Sequence, residues 1–367
     1  MLKLLAVFAA ALLLAYISEK NTEAITTTGQ EYSVWKDWAY ILLVVILVLF
    51  TGLRTSYNDT WNYVSAFNAA PGMTEWLTNP ENYNIFKNPL FYFYQSAVKS
   101  VFGNSQVLIF LSALITQSCF VCFFKRYSEH FVFSIFIYFT LGTFVFTLAA
   151  IKQVLGMAIA TLAFPYLEKR KWIRYFLILF IAMLFHTYVI AFAVLPLFRI
   201  RPWRAFTFIF VAVTIVVLFN FREVITAFME QANELGKTLA EYEVFDSYTI
   251  NIFRLAVYAV TPVLSIVFRK WILQNSSKMD HILIHMSIIS LACMSMGTQS
   301  GANMFARMAM YFELGTICCL PQMLKKTFDD RSYRLVSVVA AVCFFGFFVY
   351  ANAIAGDFGQ DYRWIFS

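Results

Sequence analysis

Five cationic or cationisable residues stand apart from the other charges of this sequence, each at the edge of an apolar run or inside one. They are Arg54, Lys152, His186, Arg254 and Arg307. A charge in such a setting is costly unless it is paired or hydrated, which makes it a functional candidate. Arginine matches phosphate oxygens bidentately, and a diphosphate carries about two to three negative charges. The set therefore predicts a diphosphate site. The alternative is that each side chain reaches the membrane surface separately.

Two acidic residues extend this candidate site. Asp59 lies in the polar segment 57–60, shortly after the first of these arginines. A carboxylate there would orient or deprotonate a sugar hydroxyl, although a solvated turn explains the same segment. Glu313 follows Arg307 within an apolar run, and Tyr311 shares the helical face of that arginine. Glu313 either serves the site or pairs with a neighbouring base.

The composition places these residues in a membrane protein. The chain of 367 residues is 60% hydrophobic and 13% charged, against about 45–50% and about 25% in soluble domains. The excess comes as separate long apolar runs, which are typical of spanning helices. This pattern excludes a soluble enzyme, a disordered chain, a secreted disulfide scaffold and an outer-membrane barrel. The net charge of +7 is assigned to cytoplasmic loops rather than to a nucleic-acid partner.

Hydropathy predicts an all-α, multi-pass protein. The predicted spans are 2–17, 38–53, 106–124, 131–149, 153–167, 174–198, 205–220, 250–268, 281–297, 308–323 and 335–352. Basic clusters flank 174–198 on both sides, so we expect two half-length helices that bend near His186 and leave both clusters inside. The alternative is one tilted helix. Counting the hairpin as two gives about twelve spans with both termini outside.

Two long outer loops interrupt these spans within a single membrane domain, 1–367. Loop 54–105 holds an aromatic segment, 86–102, which we interpret as an interfacial helix; if it spans, the topology before it inverts. Loop 221–249 has apolar residues at helical spacing, which predicts an amphipathic surface helix. Residues 1–17 are interpreted as a helix rather than a signal peptide, because no small-residue cleavage site follows.

Other chemistries have weaker signals. Cys119 and Cys122 have redox-motif spacing but lie in an apolar run without a preceding strand. His281 and His285 have a zinc-compatible spacing but no evident third ligand. The chain has no glycine-rich phosphate loop. We therefore expect no cofactor, no metal and no nucleic acid.

Four polar segments resemble, in order, motifs of the EpsG family of Wzy-like polysaccharide polymerases. They are Gly52-Leu53-Arg54 with Asp59, Thr60 and Tyr63; Ile151-Lys152-Gln153; Leu184-Phe185-His186-Thr187-Tyr188; and Arg307-Met308-Ala309-Met310-Tyr311-Phe312, followed by Pro321. The similarity extends over residues 50 to 323. The sequence departs from the family pattern at Lys152, where arginine is usual, and at Asn58, near a usual glycine. Lysine lacks the bidentate fork of arginine.

The resemblance implies a multi-span architecture of the GT-C-like glycosyltransferase type. It also implies that oligosaccharide repeat units on undecaprenyl diphosphate are joined at the outer face of the bacterial cytoplasmic membrane. The reaction would invert the anomeric centre without a metal. Besides this lipid-linked donor and acceptor, the expected partners are membrane lipid, a chain-length regulator and a flippase.

Under this reading the isolated cations hold the donor diphosphate, and His186 or Asp59 serves the acceptor hydroxyl. The catalytic candidates are Asp59, His186, Arg254 and Arg307, and the substrate-binding candidates are Arg54, Tyr57, Asn58, Lys152, Gln153 and Tyr311. The aromatic residues Tyr57, Trp61 and Tyr63 either stack on sugars or anchor at the interface. The amphipathic helix of the second outer loop would cover the cavity.

Three other functions fit parts of the pattern. A flippase for the same lipid-linked sugar also uses a broken hairpin and a charged cavity, but transporters often have internal repeats, which this sequence lacks. A ligase or single-sugar transferase would use the same donor, and the sequence does not separate it from a polymerase. A sugar acyltransferase would need a base such as His186 beside an acid, and no clear pair is present.

Overall fold

The computed structural model describes residues 1–27, 33–221, 223, 250–274, 276–299, 303–356, 358 and 361–366. These residues form helices and one two-stranded sheet. They divide into two compact units. The first unit is Met1–Val194 with Val342–Ser367, and the second unit is Leu195–Ala341.

The elements of the first unit are numbered along the described residues. The α-helices are α1 Leu2–Thr27, α2 Trp38–Gly52, α3 Thr60–Ala69, α4 Met73–Thr78, α5 Pro89–Phe102, α6 Ser105–Tyr127, α7 Phe131–Thr140, α8 Thr143–Ala149, α9 Ile151–Thr161, α10 Phe164–Glu168 and α11 Trp172–Phe185. The strands are β1 Arg54–Ser56 and β2 Arg363–Trp364, and short 3-10 helices lie at Val34–Lys36, Pro80–Tyr83 and Ile85–Lys87.

The remaining helices lie in the second unit or cross one of its boundaries. A long 3-10 helix covers Thr187–Arg199, and the boundary between the units falls inside it. The α-helices that follow are α12 Ala205–Phe219, α13 Ile252–Val267, α14 Arg269–Ile272, α15 Lys278–Met296, α16 Asn303–Thr327 and α17 Asp330–Val349, which continues as a π-helix over Tyr350–Ile354. The predicted amphipathic helix in 221–249 lies almost wholly outside the described residues.

Several helices suit a bilayer, so the chain is an all-α, multi-pass membrane protein with a minimal sheet. Among the described residues, four helices are long and apolar enough to cross, namely α1, α6, α15 and α17 with its π-helical extension. A bent pair of helices raises that number to five, and further apolar helices of 10–17 residues include α2, α12 and α13. The prediction of twelve spans stays a prediction.

The predicted span 131–149 is not one helix. It divides into α7 and α8, which are bent by 54° at the break. Gly142 at this break has a φ of +97°, a conformation that a residue with a Cβ rarely adopts. The pair together is apolar enough for one broken span, so the prediction of a span over 131–149 stays a prediction, whereas the break at Gly142 was not predicted.

The stretch 174–198 folds as the helical hairpin that its basic flanks favoured. Helix α11 ends at Phe185, and His186 is extended, with φ −153° and ψ 117°. The Tyr175 hydroxyl then donates to the carbonyl of Phe192 at 2.5 Å. These two residues would be about 25 Å apart in one continuous helix. The second arm therefore folds back along the first.

Close helix contacts hold the first unit together around α6 and α9. A Cβ on Gly52 would lie 2.9 Å from the ring of Phe110, so the glycine lets the end of α2 approach α6 closely. Phe91, Ile109 and Leu155 are buried together in a cluster that joins α5, α6 and α9. This packing fixes the positions of the loops that carry the candidate residues of the first unit.

Candidate functional site

Arg54 is buried directly after α2, with 1% of its surface exposed. Its Nε donates to the Thr60 hydroxyl at 3.3 Å, and its Nη1 donates to the carbonyl of Thr51. The Gln106 side chain donates to the carbonyls of Gly52 and Arg54, at 2.7 and 3.1 Å. The guanidinium is therefore held by the end of α2 and the start of α3.

The C-terminal segment covers this region. We call residues 358 and 361–366 the C-terminal strap. Strand β2 pairs antiparallel with β1, with Arg54 opposite Trp364. The Tyr362 hydroxyl donates to the carbonyl of Phe50 at 2.7 Å, and the two rings stack at 4.7 Å. The strap therefore anchors on the last turn of α2 and closes over the strand that carries Arg54.

The charge of Arg54 is opposed by burial but not removed. Desolvation lowers the pKa of Arg54 to about 10, while Tyr362, Tyr63 and Tyr57 act in the opposite direction. The guanidinium remains protonated at neutral pH. Among the residues that the structure describes, no carboxylate forms an ion pair with it.

The predicted polar segment after β1 places its members in different environments. Tyr57 is buried, with its ring 5.6 Å from that of Phe358 in the strap. Asn58 is exposed and has a φ of +41°. Asp59 is half-buried at the N-cap position of α3, and Trp61 is 75% exposed. Asn58, Asp59 and the neighbouring Trp61 can therefore meet a solute, whereas Tyr57 cannot.

Lys152 lies at the start of α9 among aromatic side chains. Its backbone N–H donates to the Tyr63 hydroxyl at 3.2 Å, and its Nζ lies 5.5 Å from the centre of the Tyr92 ring. The side chain of Lys152 is half-buried, whereas Gln153 beside it is 3% exposed. Tyr63 lies one helical turn after Asp59 on α3. These contacts bring Asp59 and Lys152 into one neighbourhood.

His186 joins this neighbourhood from the bend of the hairpin. A Cβ on Gly156 would meet the Cβ of His186 at 2.9 Å and its backbone N at 3.3 Å. Gly156 is one turn after Lys152 on α9, so the histidine backbone packs next to the lysine turn. The imidazole is half-buried and makes an edge contact with the Tyr188 ring at 5.1 Å.

The bend is held by a polar clamp that the sequence analysis missed. Asn88 Oδ1 accepts from the Thr187 backbone N–H at 2.9 Å and from its hydroxyl at 3.0 Å. Asn88 has a φ of +54° and precedes Pro89, which starts α5. An asparagine before a proline marks a helix start in sequence, but its partner 99 positions away is not readable from local pattern.

Arg254 and Arg307 lie at the same end of the second unit. The Ile250 N–H donates to the carbonyl of Gly297 at 3.2 Å, and a Cβ on Gly297 would lie 3.0 Å from the Cβ of Ala306. The starts of α13 and α16 therefore meet at the end of α15. Arg254 is within about one turn of this junction, and Arg307 is next to it. Both side chains are half-buried.

A buried polar pair lies beneath these arginines. The Tyr258 hydroxyl donates to Glu313 Oε2, and it lies 3.4 Å from the sulfur of Met310. Tyr258 is one turn after Arg254, and Glu313 and Tyr311 are fully buried on α16. The pair joins α13 to α16 and fixes the relative position of the two arginine-bearing turns. Sequence reasoning named Glu313 but missed Tyr258, which has no distinctive local pattern.

The two histidines with metal-like spacing make hydrogen bonds with neighbouring groups. His285 Nε2 is 3.0 Å from the Thr207 hydroxyl, and His281 Nε2 is 2.8 Å from the Ser276 hydroxyl. His285 Nδ1 lies 2.8 Å from the carbonyl of His281. These contacts join α15 to α12 and to the turn that precedes α15. Both histidines therefore contribute to helix packing.

Comparison with known proteins gives one match. No curated protein and no solved structure matches the chain. The sequence profile of the EpsG family matches residues 37–365, a range that includes both arginine regions, the hairpin and the C-terminal strap up to residue 365. The chain is therefore a member of the EpsG family.

Proposed function

We propose that this protein polymerises polysaccharide at the outer face of the bacterial cytoplasmic membrane. The growing glycan would pass from its undecaprenyl diphosphate carrier to a hydroxyl of an incoming lipid-linked repeat unit. The bond between the anomeric carbon and the phosphate oxygen breaks, and a glycosidic bond forms with inversion. Undecaprenyl diphosphate leaves, and the acceptor hydroxyl loses its proton. Family membership and the multi-pass fold support a glycosyltransferase-type polymerase.

The observation that carries this proposal is the placement of Arg254 and Arg307 at one end of the second unit. Negative charge develops on the departing diphosphate, and fixed guanidinium groups stabilise it without having to reorganise. Two arginines can each make a bidentate contact with the phosphate oxygens. The Tyr258–Glu313 pair holds the two helices in register, so the arginines are preorganised.

The first unit holds side chains whose chemistry suits a sugar hydroxyl. His186 and Asp59 are the groups able to take a proton from a sugar hydroxyl. Lys152 is proposed as a substrate contact, and the exposed Trp61 ring offers a flat apolar surface for a sugar. Gln153 is 3% exposed, so we place it as a supporting residue rather than as a direct contact.

Arg54 has a different proposed role. Its side chain is covered by the C-terminal strap and bonds to Thr60 and Thr51. We therefore place it as a positioning residue, which orients the turn that carries Asn58 and Asp59, rather than as a direct ligand of the diphosphate. Tyr57, in the turn before α3, and Tyr311, on α16, are also buried, so we place both as supporting residues.

Reconstitution tests the proposal. Purified protein in lipid vesicles receives lipid-diphosphate repeat units, with a metal chelator present and no nucleotide. We expect a ladder of glycans that differ by one repeat unit. Transfer of a single unit without further extension would indicate a ligase or single-sugar transferase. Movement of the lipid-linked sugar across the bilayer without any new glycosidic bond would identify a flippase. Either result overturns the polymerase assignment.

A further inference from the structure

A small polar cavity lies beside Arg54, inside the first unit. It is bounded by the end of α2, the middle of α6, and helices α8 and α9. Its polar lining is formed by Thr51, Arg54, Ser112, Thr116, Gln117 and Thr147. The free space holds about one water-sized species. A diphosphate or a sugar is too large for it, so this cavity is separate from any substrate site.

Four of the polar groups in the lining already have partners. The Thr51 hydroxyl donates to the carbonyl of Leu47 at 2.7 Å. The Ser112 hydroxyl is 3.2 Å from the Tyr94 hydroxyl. These two hydroxyl groups therefore need no hydrogen-bond partner inside the cavity.

The amide and the second threonine are satisfied in the same way. Gln117 Nε2 donates to the Thr147 hydroxyl at 3.0 Å, and Gln117 Oε1 accepts from the Tyr138 hydroxyl at 2.9 Å. Thr147 in turn donates to the carbonyl of Phe144 at 2.6 Å. Each of these groups therefore has at least one hydrogen-bond partner.

Two buried groups in the lining have no partner among the described residues. They are Arg54 Nη2 and the Thr116 hydroxyl. The guanidinium nitrogen can only donate, and a hydroxyl can donate as well. Buried donors that lack an acceptor are costly, and a buried charge without a counter-charge costs more. The cavity therefore lacks one acceptor and one negative charge.

We propose that this cavity binds a single halide ion, chloride under physiological conditions, between Arg54 Nη2 and the Thr116 hydroxyl. A monatomic anion supplies both missing features at once, and it is only slightly larger than the water-sized species for which the cavity has room. A water molecule would supply an acceptor but no charge. The proposal does not depend on the proposed reaction, because it concerns the stability of the α2–α6 contact.

Anion-dependent stability tests the site on the full-length protein in lipid nanodiscs. The melting temperature is compared in sodium chloride and in sodium gluconate at equal ionic strength, because gluconate is too large to enter. At about 200 mM salt, we expect a melting temperature about 2–4 °C higher in chloride, since a ligand of the folded state stabilises it. Equal melting temperatures in the two salts would overturn the proposal.

Three variants assign the effect to this cavity. Thr116→Val removes the hydroxyl at nearly constant volume and should abolish most of the chloride effect, whereas Thr116→Ser should keep it. Thr261→Val is the matched control, because Thr261 is fully buried and its hydroxyl also has no partner among the described residues, but it lies in the second unit. A chloride effect that survives Thr116→Val intact would overturn the site.

Bromide locates the bound anion directly, without the need for a variant. Crystals of the full-length protein grown in sodium bromide are measured at the bromine absorption edge. We expect an anomalous peak within hydrogen-bond distance of Arg54 Nη2. Ordered bromide elsewhere, with no peak in this cavity, contradicts the assignment.

Discussion

Arg54 and Arg307 look alike in the sequence, since each is an isolated arginine at the edge of an apolar run. Their surroundings in the folded protein differ. Arg54 is 1% exposed and lies behind the C-terminal strap, with two hydrogen bonds to its own neighbourhood. Arg307 is half-buried at the junction where α15 ends and α16 begins, and Arg254 lies at the same end.

We propose that burial, rather than residue type, separates the positioning arginine, Arg54, from the ligand-binding one, Arg307. A guanidinium that is already enclosed and bonded cannot also grip a large anion without local opening. A half-buried guanidinium at a helix end is more accessible to such an anion. The comparison therefore predicts that the same substitution has opposite consequences for activity and for stability in the two regions.

Loss of the second-unit arginines should have the largest effect. We expect Arg254→Ala and Arg307→Ala each to lower the rate of glycan extension about 100-fold, because each removes about 3 kcal/mol of stabilisation from the leaving diphosphate. The melting temperature should change little. Lys270→Ala is the control, since Lys270 is an exposed cation on α14. Normal glycan ladders from both arginine variants would show that these residues are not part of the site.

Arg54→Ala should instead act on stability. It leaves the carbonyl of Thr51 and the hydroxyl of Thr60 without their donor and opens a hole under the strap. We expect a loss of about 2–3 kcal/mol in the free energy of unfolding, measured by chemical denaturation in detergent. Unchanged stability together with lost activity would indicate that Arg54 is a substrate ligand and that its role does not differ from that of Arg307.

Gly156→Ala tests how closely α9 packs against the bend at His186. The added Cβ would lie 2.9 Å from the Cβ of His186, so the bend must shift, at about 1–3 kcal/mol. Gly346→Ala on α17 is the matched control, because a Cβ there meets nothing within 4 Å. That change should stabilise the helix by about 0.5–1 kcal/mol. Similar melting temperatures for the two variants would show that the histidine contact is not tight.

Tyr362→Phe tests the strap with the smallest expected effect. It removes the bond to the carbonyl of Phe50 but keeps the ring stacking, and we expect about 1 kcal/mol of destabilisation. Tyr83→Phe is the control, because the Tyr83 hydroxyl also bonds to a carbonyl, that of Leu77, but the side chain is 52% exposed. Water replaces that bond in the variant. An equal loss in both variants would mean that the strap is not buried.

Local sequence pattern predicted much of this fold. Apolar run length located most helices, and the paired basic clusters indicated the hairpin, which the Tyr175 contact with Phe192 confirms. The pattern did not indicate the break at Gly142, because hydropathy does not report a positive φ. It also placed the end of α1 too early, since that helix continues to Thr27 and its Ser18 hydroxyl donates to Asp37 at 2.7 Å.

The candidate site was harder to predict because its decisive contacts are long-range. Nothing near Arg54 in the sequence indicates that Tyr362 and Trp364 come back to cover it. The clamp between Asn88 and Thr187 likewise joins segments far apart in the chain. Isolated charges could be recognised one at a time, but their exposure depends on which distant segment packs over each of them.

We propose that Arg254 and Arg307 bind the diphosphate of a lipid carrier. The most direct measurement is the affinity of nanodisc-embedded full-length protein for undecaprenyl diphosphate, compared between the wild type, each single alanine variant and Arg54→Ala. We expect Arg254→Ala and Arg307→Ala each to weaken binding about tenfold or more, whereas folded Arg54→Ala protein should bind nearly as the wild type does. Unchanged affinity in both second-unit variants, or a loss confined to Arg54→Ala, would contradict the proposal.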